Sequence, residues 1–456
     1  MLRKTYWALA LVFIVTQGAL SQDGEKLPPP AKLPATLNGP VPEGMGPISF
    51  EGTRPPVWVY ADADYLLWWV NHNPAPILLT TAPNNGLNVN GLTGGILGEP
   101  GTIVRFTGRD LGYPSFSGFR ARAGVHLGPD GFWSLEAAGF LLPRRSIDAS
   151  FSGRGDGSPL LTIPFLDAAT GSPSSLDINA QDAAFNPYLL GSIAFHSDIV
   201  IYGYEFNAVA HSIRTAERSF DLMFGFRAVY LQENLLINHT ITPVNDANLT
   251  VQFPEAGLGV KNYFDVLAGS PVLIRDRFGT RNSFYGPQIG CRFSWAFDRF
   301  AADLTGKVAV GVTHQQASID GSTSTAFARD PNTLAVVTNL TTPGGVFALR
   351  TNSGNFNQNQ FTVVPEIGLN LKYAITHFLH LHVGYSGLYW SNVARPGAQI
   401  DTVINQKLVP TGALLPTNTN PTGAFIPGSE QGRPSFAFRD TAFWAHGLNF
   451  GVELHY

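Results

Sequence analysis

The stretch Phe220-Asp-Leu-Met-Phe-Gly-Phe-Arg-Ala-Val-Tyr230 alternates in polarity along the chain. Its even positions are all apolar or aromatic, whereas its odd positions include Asp221, Gly225 and Arg227. A β-strand directs successive side chains to opposite faces of its sheet. The stretch therefore predicts a strand with one apolar face, and the same pattern recurs at 119–127, 285–295 and 300–312.

Twelve segments of the sequence show this period of two, and most have 11–15 residues. Strands of soluble proteins usually have about 5 or 6 residues, whereas a tilted membrane-spanning strand needs about 9–11. The segments are 57–70, 114–127, 132–142, 184–196, 199–213, 218–232, 233–243, 283–297, 299–314, 360–374, 377–391 and 442–456.

The connections between these segments alternate in length. Long ones occupy 71–113, 143–183, 244–282, 315–359 and 392–441. Tight turns are predicted at 128–131, Ser197-Asp198, Glu233-Asn234, Asp298-Arg299 and Thr376-His377. A short connection near Arg214 to Arg218 is the exception to this alternation. Short turns on one side and long loops on the other are typical of an outer-membrane β-barrel, with both chain ends on the periplasmic side. A secreted sandwich or propeller also has alternating strands, but strand length and loop parity favour the barrel.

The composition agrees with a membrane barrel. Charged residues are 14% of the chain, against about 25% in ordinary soluble domains, and aromatic residues reach 12%. That aromatic content excludes a disordered chain. The net charge of −4 without a basic tract argues against nucleic acid as a partner. Aromatic residues near strand ends are expected in two interfacial girdles: Trp68, Trp69, Trp133, Tyr202, Tyr230, Trp295, Tyr389, Trp390 and Trp444.

The N-terminal segment predicts export. Arg3 and Lys4 precede the apolar run Tyr6–Val15, and Ala19-Leu20-Ser21 offers a cleavage site, as in a secretory signal peptide over 1–21. Residues 22–56 are rich in proline and lack periodicity, so we expect a periplasmic linker there. The barrel is expected over 57–456, in the outer membrane of a Gram-negative bacterium.

Several stretches resemble the putative beta-barrel porin family found mainly in planctomycete bacteria. The stretches that carry the resemblance are Asp64-Tyr-Leu-Leu-Trp-Trp69, 94–101, Ser117-Gly-Phe-Arg120, Gly139-Phe140, Pro365-Glu-Ile-Gly368 and Gly384-Tyr-Ser-Gly-Leu-Tyr-Trp390. The resemblance covers roughly 57–456 and implies an outer-membrane β-barrel. Pore activity is implied by the family's name.

Charged residues at positions opposite the apolar faces are the candidate functional residues. A charge on the lipid face costs about 2–4 kcal/mol at mid-bilayer, so these side chains are predicted to face the lumen. Either they line a wet channel as opposing charge patches, or they pair across the lumen and plug it. The predicted pore-lining residues are Arg120, Arg122, Glu136, Glu205, Asp221, Arg227, Arg292, Asp303, Lys307, Glu366, Lys372 and Glu453.

Other patterns give no catalytic or metal site. His380 and His382 have a two-residue spacing that can bind a metal, but no Cys or carboxylate partner is identifiable. Ser386 lies four residues beyond His382, without the nucleophile-elbow motif of a hydrolase. Cys291 alternates with apolar residues and is expected to face lipid. Arg154-Gly-Asp156 resembles an adhesion tripeptide by chance, and 91–101 is expected to make tight turns in a loop that folds over or into the barrel.

The sequence therefore predicts an all-β protein, a transmembrane antiparallel barrel of about twelve strands, with no cofactor and no enzymatic activity. The predicted function is passive diffusion of small polar solutes through a lumen that filters by size and charge. The alternative is a non-conducting barrel that displays its long loops for surface structure or adhesion. Outer-membrane lipid is the expected surrounding, and the oligomeric state is left open.

Overall fold

The computed structural model describes residues 59–82, 94–127, 131–182, 184–215, 217–246, 249–254, 261–411 and 432–456. The predicted signal peptide, the linker and the turn at 128–130 lie outside the described residues. No helix in the described part of the chain is long and apolar enough to span a membrane.

The described residues form eighteen strands and three short 3-10 helices. The helices are Gly108–Asp110, Pro396–Gln399 and Gln406–Leu408. The strands are β1 Val59–Val70, β2 Leu79–Thr81, β3 Ile103–Phe106, β4 Phe116–Leu127, β5 Trp133–Ser152, β6 Leu161–Asp167, β7 Pro173–Gln181, β8 Pro187–Arg214, β9 Arg218–Pro243, β10 Thr250–Pro254, β11 Lys261–Val266, β12 Val272–Phe297, β13 Phe300–Arg329, β14 Val336–Pro343, β15 Gly354–Ala374, β16 Leu379–Ala394, β17 Val403–Ile404 and β18 Asp440–His455.

Ten of these strands close into an antiparallel ring. The order around the ring is β1, β4, β5, β8, β9, β12, β13, β15, β16 and β18, and β18 pairs again with β1. The backbone N–H of Val59 donates to the carbonyl of Tyr456 at 3.0 Å, which extends this last pairing. Hydrocarbon offers no water to unpaired backbone groups, so a closed ring is the arrangement that a sheet in a bilayer requires. The predicted antiparallel barrel is confirmed.

The strand count differs from the prediction of about twelve. The segments 184–196 and 199–213 belong to one strand, β8, and 218–232 and 233–243 belong to one strand, β9. The predicted turns at Ser197-Asp198 and Glu233-Asn234 are wrong, because Asp198 pairs with Asn234 in the middle of the β8–β9 ladder. Below this level the apolar residues lie on the outer face of the strands, and above it they lie on the inner face. In the sequence, this change of parity looks like a turn between two strands.

With ten strands in the ring, short and long connections alternate without exception. The short connection near Arg214 to Arg218 is the tight turn between β8 and β9, so it no longer breaks the alternation. The other tight connections join β4 to β5, β12 to β13 and β15 to β16. All five long connections emerge at the opposite end of the ring, and both described ends of the chain lie on the side of the tight turns.

The half of the wall near the tight turns, called the membrane half, has an apolar outer face. On β9 this half covers 220–231, where Phe224 and Phe226 are about half exposed. An upper girdle is formed by Tyr202, Tyr204, Tyr230 and Tyr285. The Tyr230 hydroxyl is hydrogen-bonded to those of Tyr204 at 3.0 Å and Tyr285 at 3.1 Å, and its ring stacks on Tyr202. A lower group of exposed aromatic side chains contains Trp133, Trp295, Phe297, Phe300 and Phe378.

The wall beyond this girdle, called the outer half, rises far above the membrane on one side. Strands β8, β9, β12 and β13 have 28, 26, 26 and 30 residues, whereas β1, β4, β16 and β18 have 12, 12, 16 and 16. A membrane-spanning strand needs only about 9–11 residues. The long strands therefore extend out of the membrane by about their own membrane-spanning length.

Described parts of the long connections pack against the inner face of the outer half. We call the described parts of 71–115, 153–186, 244–271, 330–353 and 395–439 the cap. Within it, β2, β3, β6, β7 and β17 form a small sheet. Buried residues such as Phe106, Ile163 and Ile178 from the cap join Phe195 and Phe278 from the wall in one core. The described glycines of 94–101 lie in turns, as expected, and Thr80 of the small sheet donates to the carbonyl of Gly95 at 2.6 Å. That this loop folds over or into the barrel stays a prediction.

Candidate functional site

The lumen of the membrane half holds all twelve charged side chains that were predicted to face inward. Their positions alternate with exposed apolar side chains on each strand, and most of them line one common cavity. That these residues line a pore stays a prediction, since position alone does not give conduction. The charged layer that they form with their partners is called the ionic layer.

The first part of the ionic layer centres on Arg227, which is 3% exposed. Its guanidinium donates to both Glu205 and Glu366, which come from β8 and β15. Lys307 from β13 lies between the same two carboxylates, at 2.6 Å from Glu205 and 3.5 Å from Glu366. Two cations and two anions from four strands are thus joined across the lumen.

The second part joins β1, β4, β5 and β12. The Glu136 carboxylate accepts from Arg292 at 3.0 Å and from the Tyr60 hydroxyl at 3.1 Å. Arg122 lies 3.7 Å from Glu136 and donates to Asp62. Because these groups are removed from bulk water, each charge depends on its partners for solvation.

The remaining ion pairs lie around these two clusters. Lys372 binds Asp303 at 2.6 Å and Glu453 at 2.5 Å. Histidine partners complete the layer, with His382 at 2.5 Å from Asp64 and His211 at 2.7 Å from Asp221. Arg120 differs, because among the described residues no carboxylate lies within 4.0 Å of it, and its guanidinium lies 5.2 Å from the centre of the Trp68 ring.

Four members of the ionic layer were missed from the sequence as lumen partners: Asp62, Asp64, His211 and His382. Asp62 and Asp64 stand two residues apart on β1, at the spacing that puts both on one face. Their face also carries Leu66 and Trp68, which are buried, while Tyr65 and Trp69 on the other face are exposed. Since both faces of β1 are aromatic, polarity alone does not tell lipid from lumen there.

A cavity of about 70 Å³ lies within the ionic layer. One water needs roughly 10–15 Å³ of such space, so the cavity has room for a few waters. Several buried polar atoms around it have no partner among the described residues, including Nη1 of Arg227 and Nδ1 of His382. The layer can therefore be partly hydrated.

Above the ionic layer the lumen is closed by apolar wall residues, called the apolar ring. Each is at most 2% exposed. The indole N–H of Trp68 donates to Asn449 at 2.8 Å, and that of Trp390 donates to Thr313 at 2.9 Å, so neither polar atom is stranded. The ring consists of Leu66, Trp68, Phe116, Leu142, Ile201, Val229, Leu231, Phe284, Val364, Leu388, Trp390 and Phe443. Trp68 and Trp390, expected in the interfacial girdles, thus face the lumen instead.

A fully buried ion pair ties the cap to the wall just above the apolar ring. The side chains of Glu233 on β9 and Arg395 after β16 are 0% exposed and lie 2.6 Å apart. Arg395 also donates to the carbonyl of His72 at 2.7 Å. Asn282 donates to the carbonyl of Ala394 and accepts from its N–H, both at 2.8 Å. The pair is called the latch. Through its bond to His72, Arg395 also joins two long connections whose residues are more than 300 positions apart in sequence.

The histidine and serine candidates do not come together as a site. His380 lies 5.0 Å from His455 between ring centres, whereas His382 binds Asp64. Among the described residues no group of three or more His, Cys, Asp or Glu could hold a metal ion. Ser386 accepts from Asn449 at 2.6 Å, and its four-residue distance from His382 along β16 is about 13 Å. A Ser/His catalytic pair is therefore not formed.

The two other candidates have structural roles. Cys291 is exposed on the outer face of β12, between Ile289 and Phe293, as expected for a lipid-facing residue. In the adhesion-like tripeptide, the Asp156 carboxylate accepts from the N–H of Ser158 at 2.9 Å and from its hydroxyl at 2.7 Å. That carboxylate stabilises its own turn.

A family model described as Putative beta barrel porin-7 (BBP7) matches residues 60–456. No curated protein is matched by the sequence. Among solved structures, the outer membrane protease OmpT from Escherichia coli is 9% identical, with 90% of this chain and 100% of that chain covered and a TM-score of 0.40. The Pseudomonas putida toluene transporter TodX is 8% identical, with 88% and 91% covered and a TM-score of 0.19. A Pseudomonas aeruginosa FadL homologue is 8% identical, with 87% and 89% covered and a TM-score of 0.16. TM-scores this low transfer no activity to the chain.

Proposed function

The chain belongs to the family Putative beta barrel porin-7, and we propose that it is an outer-membrane barrel with a closed lumen that holds its cap at the cell surface. Its wall serves as a rigid membrane anchor, and the cap is the part that meets the outside. No cofactor and no covalent chemistry enter this proposal. That the protein is not an enzyme remains a prediction.

The apolar ring is the observation that carries the proposal. Its twelve residues all belong to wall strands, and the cap adds Tyr113 to the same buried cluster, so most of the closure comes from the wall. Barrels of about eight strands are filled by their own side chains, while those of about 16–18 strands leave an aqueous channel. Ten strands with Trp68, Trp390, Phe284 and Phe443 pointing inward resemble the filled case.

A second candidate function is gated passage of small polar solutes through the lumen. The cavity in the ionic layer favours it, because a charged chamber with room for water can orient polar solutes. The latch would then hold the closed state, and its release would have to be followed by rearrangement of the apolar ring. This candidate keeps the charge-selective filter that the sequence predicts.

Single-channel conductance in a planar bilayer separates the two functions. The refolded protein is first verified by heat-dependent mobility on a gel. We expect no conductance steps from the native protein, and steps from a Phe284→Ala/Trp390→Ala variant that opens the ring. Trp444→Ala, which removes an exposed indole on the outer face, is the matched control and should stay silent.

Discrete conductance steps from the native protein would contradict the closed barrel and favour gated passage. Under that outcome, Arg120→Glu/Arg122→Glu tests the pore-lining prediction. Reversing two lumen charges should shift ion selectivity toward cations, whereas unchanged selectivity would remove these residues from the conduction path.

A further inference from the structure

The outer face of the outer half carries three arginines on one strand, directly above the upper girdle. Arg275, Arg277 and Arg281 on β12 all point outward and are exposed. Arg277 has Asp320 at 4.0 Å, whereas among the described residues Arg275 and Arg281 have no carboxylate within that distance. The surface therefore carries more positive than negative charge.

Gly279 forms the floor of a groove between Arg277 and Arg281. It pairs with Asn234 on β9 and with Ser318 on β13, and it is one of the residues that line a groove of about 410 Å³. Its rim is rich in amides and hydroxyls: Gln232, Asn234, Gln316, Ser318, Asn355 and Asn357. Asp198, the acid beside Asn234, is paired with Arg144 and accepts from the Asn234 amide, so its charge is already engaged.

We propose that this groove binds the phosphorylated sugar headgroup of an outer-leaflet glycolipid. Guanidinium groups match phosphate through two parallel hydrogen bonds, and amide side chains pair with sugar hydroxyls. A space of this size lies within the usual range of about 300–1,000 Å³ for ligand sites. The groove lies above the upper girdle on the same outer face of the wall, so a ligand anchored in the outer leaflet can approach it.

The height of the arginines above the upper girdle favours a glycolipid over a simple phospholipid as the ligand. Arg281 lies four residues above Tyr285, which is about 13 Å along a strand, and Arg277 lies about 26 Å above it. The polar layer of one leaflet is only about 5–8 Å thick. A headgroup must carry its anionic group on a saccharide to reach both arginines, even along a tilted strand.

Binding of a purified glycolipid with a phosphorylated core oligosaccharide, titrated into the full-length protein in neutral detergent, tests the proposal. We expect Arg277→Gln/Arg281→Gln to weaken binding at least tenfold. Gly279→Leu keeps every charge and fills the groove, and it should weaken binding to a similar extent. Arg105→Gln/Arg109→Gln removes two exposed cap arginines and should leave the affinity unchanged. Heat-dependent mobility verifies that each variant has folded.

Two ligand comparisons complete the test. The dephosphorylated glycolipid and phosphatidylglycerol should each bind at least tenfold more weakly than the phosphorylated glycolipid. Equal binding of phosphatidylglycerol would overturn the proposal in favour of a nonspecific basic surface. Unchanged binding in both the double variant and Gly279→Leu would overturn it outright.

Discussion

The two halves of the barrel wall place their apolar side chains on opposite faces. In the membrane half, apolar side chains face outward and charged ones face the lumen, whereas in the outer half polar side chains face outward and apolar ones form the core with the cap. On β9 the inward positions run from Asp221 and Arg227 through Val229 and Leu231 to Leu235 and Ile237. Residues of one parity face inward throughout, so what changes is the solvent on the outer side.

Strand alternation therefore reports a contrast in polarity between two faces and does not say which face is inside. Hydrocarbon makes an outward charge cost about 2–4 kcal/mol, and water reverses that preference above the girdle. The exchange occurs at Glu233, where the latch buries a charge between the two halves. Substitutions at four positions test this contrast between the two halves.

The largest effect is expected from Arg227→Met in the membrane half. It leaves Glu205 and Glu366 with Lys307 as their shared cation, and breaking such a buried network costs about 3–5 kcal/mol. Denaturant unfolding in lipid vesicles, followed by tryptophan fluorescence, measures the change. Arg350→Met, at an exposed cap arginine, is the control and should change the free energy of unfolding by less than about 0.5 kcal/mol. A loss below about 1 kcal/mol for Arg227→Met would mean that the ionic layer is dispensable.

The next effect is expected in the outer half, where adjacent leucines lie on opposite faces of β9. Leu235 is 0% exposed in the core shared with the cap, while Leu236 points outward and is partly exposed. Leu235→Ala should cost about 3 kcal/mol through lost burial and the cavity left behind, and Leu236→Ala less than about 1 kcal/mol. The same unfolding experiment checks both variants. Equal losses would contradict the assignment of the inner face.

A pH effect is expected at His239 in the outer half, where burial lowers the pKa of the imidazole to about 3. The unfolded chain takes up this proton below about pH 6.5 and the folded chain does not, so the contribution of His239 to stability is lost as the pH falls from 6.5 toward 3. Between pH 7.5 and 5 the loss is about 2 kcal/mol.

His239→Leu isolates that contribution. The free energy of unfolding of the native protein, minus that of the variant, should decrease by this amount between pH 7.5 and 5. Taking the difference removes the opposing effects of Asp177 and Asp276, whose pKa values burial raises to about 7. A difference independent of pH would contradict the buried, neutral state of His239.

The smallest effect on stability is expected at Cys291. Cys291→Ala should change the free energy of unfolding by less than about 0.5 kcal/mol, because the thiol faces lipid and not the packed core. The native thiol is the sharper probe of the membrane half. A charged, membrane-impermeant maleimide should label it in the unfolded protein and leave it unlabelled in vesicles. Rapid labelling in vesicles would place this face of β12 in water.

The sequence alone predicted the barrel and most features of the membrane half. Alternation over 218–232 and 285–295 identified the lipid face correctly, and the twelve predicted charges face the lumen because lipid excludes them. Asp62 and Asp64 were missed since β1 carries aromatic residues on both faces. Trp68 and Trp390 were misplaced because a tryptophan near a strand end suits either an interfacial girdle or a position that faces the lumen.

The outer half could not be predicted from local pattern. Glu233 and Asn234 look like a turn because two polar residues interrupt an apolar alternation, and only the pairing with β8 shows that the strand continues. The partner of Glu233 is Arg395, 162 residues away. Contacts between residues so far apart in sequence depend on which strands are neighbours in the closed ring. The local sequence of one segment does not determine that order.

The seam between the first and the last strand has a consequence for assembly. Val59 and Tyr456 exchange two backbone hydrogen bonds, of 3.0 and 2.9 Å, across almost the whole length of the chain. By chain statistics, joining ends so far apart costs about 5 kcal/mol in entropy. Until β18 arrives, β1 presents an unpaired edge that can recruit strands of other molecules. The slowest step of folding is therefore expected to be closure of this seam, and insertion has to shield β1 until the final residues are in place.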